Sequence, residues 1–470
     1  MRTILINKRL VTIVLALSSI TANADAVTHQ YVVSIDTNLR QLKVEARFAY
    51  PVTAIHARSS EAFRFLQQAS DCDNEQLIGV SRRHMLLPNS GVQCIRYTVD
   101  LAKAARAERR NATLSSNNVI VSPTAWFWRP AIKNKESIHV RFDLDEAFRV
   151  SVPWQPVAGE ANTYRLTASP QSSRAPAVFG DFEYHETPIN GALLRISILN
   201  TRHDFDTAEI VEWVRRSADN ISLAYGTFPN PSPSAVVVPV GGSLSGDSPV
   251  PFGRVVRDGG ETVELFINQN MPIDAYYDDW TATHEFSHLM LPYLGSRHRW
   301  ISEGFAQYYQ NLLLARAGQY TEQRAWQKLY EGLERGRKSS PDLSPNEAAR
   351  DRWRSLMKVY WSGAAVALLA DVELRRRSNG TESLDDVLRQ FQSCCLPANA
   401  RWSGTQLFRR LDGFVDEPVF MPLYRRYANA PGFPDVRPRL QELGVIVDDE
   451  RVWLDDGAPL AALRSAMTAH

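Results

Sequence analysis

His284-Glu285-Phe286-Ser287-His288 is followed, after the linker 292–299, by Trp300-Ile301-Ser302-Glu303-Gly304-Phe305-Ala306-Gln307-Tyr308-Tyr309. Both stretches read as helices. Residues four apart on a helix lie about 400° round, so the two imidazoles leave nearly the same face. Two neutral imidazoles at that spacing suit Zn²⁺, which takes nitrogen ligands in a tetrahedral set. Glu285 is turned about 100° from His284, a position better suited to taking a proton from a water at the metal than to joining the ligands. A catalytic zinc needs a third protein ligand and an open fourth position. Glu303, with fourteen residues between it and His288, opens the second helix in this reading. Two helices joined by so short a linker can pack antiparallel and bring Glu303 against the imidazoles. Two plainer alternatives stand beside this. The histidines can be surface residues flanking a solvated Glu, a pattern expected by chance in roughly one or two chains per hundred of this length. Glu303 can be a carboxylate favoured by its helix N-terminus. The two stretches together favour one zinc per chain, held by His284, His288 and Glu303.

Working outward, helices are expected at 276–291, 303–317, 322–335, 358–377 and 384–391. Before them, 192–199, 235–240 and 262–268 read as strands, the last a candidate edge on which a peptide could add. Asp206 with Glu209 starts a helix whose apolar face is Ile210, Val214, Ala218 and Ile221. From 26 to about 169 the segments are short and alternating, as in Tyr31-Val32-Val33-Ser34-Ile35. That is the pattern of a mostly β domain, a sandwich, with helical periodicity only at 62–68 and 101–109. The fold class is therefore multidomain α+β. Residues 25–172 form an N-terminal β-sandwich-like domain, 173–345 a catalytic α/β domain carrying the metal helix, and 346–470 a C-terminal helical lobe.

The chain has 470 residues, 44% of them hydrophobic, enough for several full cores. Its 53 basic and 52 acidic residues leave a formal charge of +1, so no nucleic-acid partner is expected. Arg2, Lys8 and Arg9 precede an apolar run from Leu10 to Ile20 and a small-residue close, Ala22-Asn23-Ala24. This order is that of a secretory signal peptide, 1–24, cut after Ala24. Eleven apolar residues are too few to span about 30 Å of hydrocarbon, so the mature chain is expected outside the cytoplasm and off the membrane. There Cys72 and Cys94 are expected to bridge, whereas adjacent Cys394 and Cys395 are not, because neighbouring cysteines strain the linkage.

H-E-x-x-H followed by W-x-x-E-G-x-A-x-Y-Y resembles the gluzincin metallopeptidases, whose catalytic lobes are thermolysin-like. The block from Tyr360-Trp361-Ser362-Gly363 through Arg377, then Gly380 and Ser383-Leu384-Asp385-Asp386-Val387, narrows the resemblance to the glycyl aminopeptidase family. It is specific from Thr281 to Val387. It implies a zinc metallopeptidase acting on a peptide or protein, exported by the signal-peptide reading above, with Glu285 as general base. Tyr360, in the Y-x-x-G block, is implied as the hydrogen-bond donor to the tetrahedral intermediate; a phenol that stays protonated at neutral pH can play that part. Its alternative is a core aromatic on an Ala-rich helix. Two other readings of the whole remain: a catalytically weak zinc-containing peptide-binding protein, and a zinc hydrolase of a non-peptide substrate. Three departures from the family stand out. The segment between His288 and Glu303 is short, no PDZ-like pattern follows, and the stretch 241–254 lacks the Gly-Gly-x-Glu-His carboxylate that helps hold a free amine. Strict dependence on a free N-terminus is therefore expected to be weak or absent, unless Glu261 or Glu264 substitutes.

Overall fold

The computed structural model describes residues 27–107, 117–133, 136–168, 175–199, 206–241, 246–351 and 354–469. The expected signal peptide lies outside them. Among the described residues no helix is long and apolar enough to cross a membrane.

The N-terminal part is built on a seven-stranded sheet. Its central strands, Val27–Ile35, Gln41–Val52 and Val92–Asp100, alternate buried and exposed residues, as half-buried strands do. Val27–Ile35 pairs in parallel with Glu136–Asp143 and antiparallel with Gln41–Val52. Two three-stranded sheets accompany it. One core joins all three, with Tyr31, Val44 and Ile95 from the large sheet, Val121, Val150 and Phe179 from one small sheet, and Ile55 and Met85 from the other. Cys72 and Cys94 are bonded, with 5.3 Å between their α-carbons. The helical periodicity at 62–68 was misleading: Ala62–Arg64 makes one 3₁₀ turn and Leu66–Asp71 is a strand on the sheet. Tertiary pairing to Val92–Asp100 overrides local pattern there. The strand Ala177–Gly180 pairs with Asn118–Val121 and Arg149–Ser151, so the N-terminal sheets reach past the expected boundary at 172.

A five-stranded mixed sheet follows, of β1 (Glu183–Ile189), β2 (Ala192–Ile198), β3 (Ser234–Val240), β4 (Phe252–Arg257) and β5 (Glu261–Asn268). Their order across the sheet is β1-β2-β3-β5-β4. β3 is buried along its whole length. Val236, Val238 and Val240 meet Ile120 and Val178 of the N-terminal part, while Ala235 and Val237 join the core beneath the helices. Pro239 is tolerated because pairing to β2 ends at Val237, leaving its missing N–H without a ladder to break on that side.

The expected edge strand was misplaced. Residues 262–268 lie in β5, paired on both sides, and the edge is β4, antiparallel to it across Asp258-Gly259-Gly260. The signal was there: Asp-Gly-Gly beside a β-branched pair, Val255-Val256, is a hairpin pattern. The N-terminal domain sits directly on this turn. Arg58 pairs with Asp258 at 2.6 Å, and Trp154 Nε1 donates to the Asp258 carbonyl at 3.1 Å. A side chain on Gly259, whose φ is +80°, would lie 1.9 Å from Leu166 and 2.7 Å from Trp154.

The helices that frame the site are α1 (Thr207–Asp219), α2 (Thr281–Ser287), α3 (Arg299–Arg316), α4 (Glu322–Lys338), α5 (Leu356–Arg377) and α6 (Leu384–Cys395). The helix expected over 276–291 is broken. Ile273–Asp278 ends at an extended Asp279, whose carboxylate then accepts the Thr281 N–H at 2.7 Å and restarts the helix as α2. α3 begins four residues earlier than expected, since buried Trp300 and Ile301 already belong to its apolar face. The region 346–470 is mostly helical but includes a hairpin, Val445–Asp448 with Arg451–Leu454. Against expectation, Cys394 and Cys395 are bonded to each other at the end of α6, 3.8 Å apart at their α-carbons.

Candidate active site

α2 turns one face inward and one toward a cleft. Ala282, Phe286 and Leu289 are buried in the core beneath the sheet, which fixes the helix's rotation. Thr281, His284 and Glu285 then line a cleft of about 490 Å³, together with Phe252 and Gly253 of β4, Gln307 and Gln310 of α3, and Tyr360 of α5. His288 follows in a 3₁₀ turn whose first residue keeps helical dihedrals, so the four-residue spacing survives.

His284, His288 and Glu303 come together, with their ligand atoms all within 4.8 Å of one another. Glu303 Oε2 lies 3.5 Å from His284 Nε2 and 3.3 Å from His288 Nε2. A tetrahedral ion with bonds of roughly 2.0–2.1 Å sets its ligand atoms about 3.3–3.4 Å apart, so this donor set fits zinc. The outer nitrogens are held as well. His284 Nδ1 donates to Gln310 Oε1 at 2.8 Å, and His288 Nδ1 is 3.1 Å from the Ser302 hydroxyl. An amide oxygen only accepts, so His284 carries its proton on Nδ1 and turns the Nε2 lone pair toward Glu303.

Electrostatics agree with the geometry. Burial works against a charged Glu303, yet the two imidazoles outweigh it and hold the carboxyl far below its ordinary range. Burial also lowers His284, but the hydrogen bond its protonated ring donates to Glu303 and the nearby carboxylates raise it overall. Glu285 is displaced upward by burial, although both imidazoles and the Val255 backbone N–H pull the other way. Tyr360 stays protonated, its phenol held up first by the charge of Glu303 and then by burial.

Two glycine contacts build the site, and the sequence reading missed both. A side chain on Gly304 would meet the Gly363 backbone at 2.2 Å, and one on Gly363 would meet the Trp300 carbonyl oxygen at 1.9 Å. α3 and α5 therefore touch backbone to backbone where Glu303-Gly304 faces Tyr360-x-x-Gly363, which is why these glycines accompany the ligand and the phenol. Gly253 is the second case: a β-carbon there would lie 2.7 Å from Glu285 Cγ. β4 thus runs against the candidate base. Gln310 and Ser302 were also missed. Gln310 stands seven residues after Glu303 on α3, a same-face spacing that could have flagged it. Glu261 and Glu264, the candidate amine anchors, are engaged elsewhere. Glu264 is buried against Arg254, and Glu261 pairs with Arg257 at 2.8 Å. Neither lines the cleft.

Residues 293–366, which include Glu303 and Tyr360, match the M61 glycyl aminopeptidase family. Solved structures share the fold. An aminopeptidase N family protein from Idiomarina loihiensis superposes with a TM-score of 0.63 at 15% identity, covering 89% of this chain and 79% of that one. An M1 zinc metallopeptidase from Deinococcus radiodurans, in a structure bound to a Tyr-Ser-Ala substrate, gives 0.52 at 11% identity, covering 87% of this chain and 96% of that one. No curated protein sequence matches. The chain resembles the gluzincins, M61 in particular; that family match supports a zinc metallopeptidase, and the solved structures share its fold.

Proposed function

We propose that this chain is an exported metallopeptidase with one zinc, held by His284, His288 and Glu303, that hydrolyses peptide bonds in a peptide or protein. The observation that carries the reading is the three-ligand cluster whose His284 lines one cleft with Glu285 and Tyr360. Zinc, when bound, supplies Lewis acidity to the scissile carbonyl and the attacking water. Glu285 accepts the water's proton as oxygen attacks the carbonyl carbon. Its upward displacement by burial makes it a stronger base than a solvated carboxylate. Tyr360, protonated at neutral pH, donates to the oxygen on which charge develops. The C–N bond then breaks, and the proton held by Glu285 passes to the leaving nitrogen. β4, an antiparallel edge beside the base, is a surface on which an extended substrate can add as a further strand.

Export rests on the charged, apolar, small-residue order of residues 1–24. N-terminal sequencing of protein recovered outside the cytoplasm should begin at Asp25. The activity test is digestion of a random peptide mixture by the zinc-loaded chain and by Glu285→Gln. The wild type should cut; the variant should keep its zinc and its fold and lose nearly all cleavage. Equal cleavage by both would reject the assignment of the base, and no cleavage by a zinc-loaded wild type would reject the peptidase.

A further inference from the structure

The cleft holds a carboxylate that the proposed chemistry leaves unused. Its lining includes Asp279, Glu285 and Glu331. Glu285 is the base, and Glu331 lies 4.0 Å from both Lys328 and Arg335 on α4. Asp279 has no ion-pair partner among the described residues; its hydrogen bonds are to Thr281. The nearby cation Arg324 is spent on Asp278 at 3.1 Å and on the face of Tyr320 at 4.2 Å.

The surroundings suit a cation. Trp280, next to Asp279, lines the same cleft and is 41% exposed, and its ring sits 5.4 Å from that of His284. Thr281, which Asp279 binds, would meet a β-carbon on Gly253 at 2.9 Å, and Gly253 lines the same cleft. A carboxylate and an exposed indole lining one cleft offer a formal charge and a ring quadrupole, and both attract ammonium and guanidinium groups. We infer that Asp279 and Trp280 form a subsite for a positively charged group of the substrate, either the free α-amine or a Lys or Arg side chain near the cut bond. That no residue of 241–254 matches the family's amine-holding Glu then does not leave the substrate's cation without a partner.

This rests on the peptidase reading for its consequence in turnover but not for its binding, so both are measured. Asn caps a helix as well as Asp does, so Asp279→Asn removes the charge while keeping the bond to Thr281. Three peptides of one length are used: a free amine with neutral side chains, its N-acetylated form, and an N-acetylated form with one Lys. Affinities are measured by calorimetry on zinc-loaded chain carrying Glu285→Gln, with and without Asp279→Asn. Cleavage is measured with Glu285 intact. One cationic peptide should bind at least about tenfold more tightly than the neutral one, and Asp279→Asn should abolish that preference without weakening the neutral peptide. Loss confined to the free-amine peptide identifies the α-amine, and loss confined to the Lys peptide a basic side chain. Equal affinity for all three, no binding at all, or a preference that survives Asp279→Asn would overturn the inference. A preference that vanishes in the variant, in a chain that cleaves none of the three, would uphold the subsite and reject the peptidase reading instead.

Discussion

At the residue scale the site is a balance of charges around three donors. Glu303 sits between two imidazoles at 3.3 and 3.5 Å, and each of these has its second nitrogen held from behind. Such a set loses metal steeply when one donor goes, because the fourth position holds no protein ligand. His288→Ala should therefore bring the zinc content of purified protein close to zero; full occupancy would remove His288 from the ligands. Gln310→Leu keeps the side-chain bulk but lets the His284 ring turn. Zinc affinity measured by competition with a chelator should fall by roughly 10–100-fold, while an unchanged affinity would make Gln310 mere packing. Tyr360→Phe tests a different part. Turnover should drop by about 10²-fold or more with metal content unchanged, as for a lost oxyanion donor, and wild-type turnover would return Tyr360 to the core.

At the scale of elements, the distance between α3 and α5 decides whether ligand and phenol meet. Gly304 and Gly363 let the two backbones touch, and a β-carbon at 363 would fall 1.9 Å from a carbonyl oxygen that cannot swing aside. Gly363→Ala should destabilise the chain by about 1–3 kcal/mol, read as a lower thermal midpoint, and weaken zinc binding as Glu303 shifts. A variant with normal stability and affinity would mean that the helices separate without cost. β4 raises the same issue on the other wall. Gly253→Ala would push against Glu285 Cγ at 2.7 Å, so turnover should fall while zinc stays bound. The two imidazoles were legible from helical spacing, Glu303 from the short link between two helices, and Tyr360 only through the family resemblance of its block. The glycines were not, since their role depends on a second helix or strand that sequence spacing does not locate.

At the scale of the molecule, the N-terminal domain buttresses the hairpin that carries the edge strand. Asp258 is 4% exposed and depends on Arg58, from the other domain, to offset its burial. Arg58→Ala leaves that carboxyl without its closest cation and should cost roughly 2 kcal/mol, seen as a lower urea midpoint. The loss should be largely repaired in Arg58→Ala with Asp258→Asn. If the single variant unfolds like the wild type, the two domains do not depend on this contact.

The helical spacing of the two imidazoles, the pairing of Glu285 with them, and the α+β class were readable from local pattern, because periods of two and 3.6 residues and ligand chemistry are properties of short segments. The rest needed three dimensions. Which strand stands at the edge depends on a neighbour absent from its own sequence, so β5 and β4 exchanged roles. The break at Asp279 depends on a carboxylate choosing a backbone N–H over continued helix. The pairing of Cys394 with Cys395 ran against their unfavourable local geometry. Asp279 itself looks ordinary in the chain and acquires meaning only because the fold turns it toward the same cleft as Glu285 and leaves it without a cation.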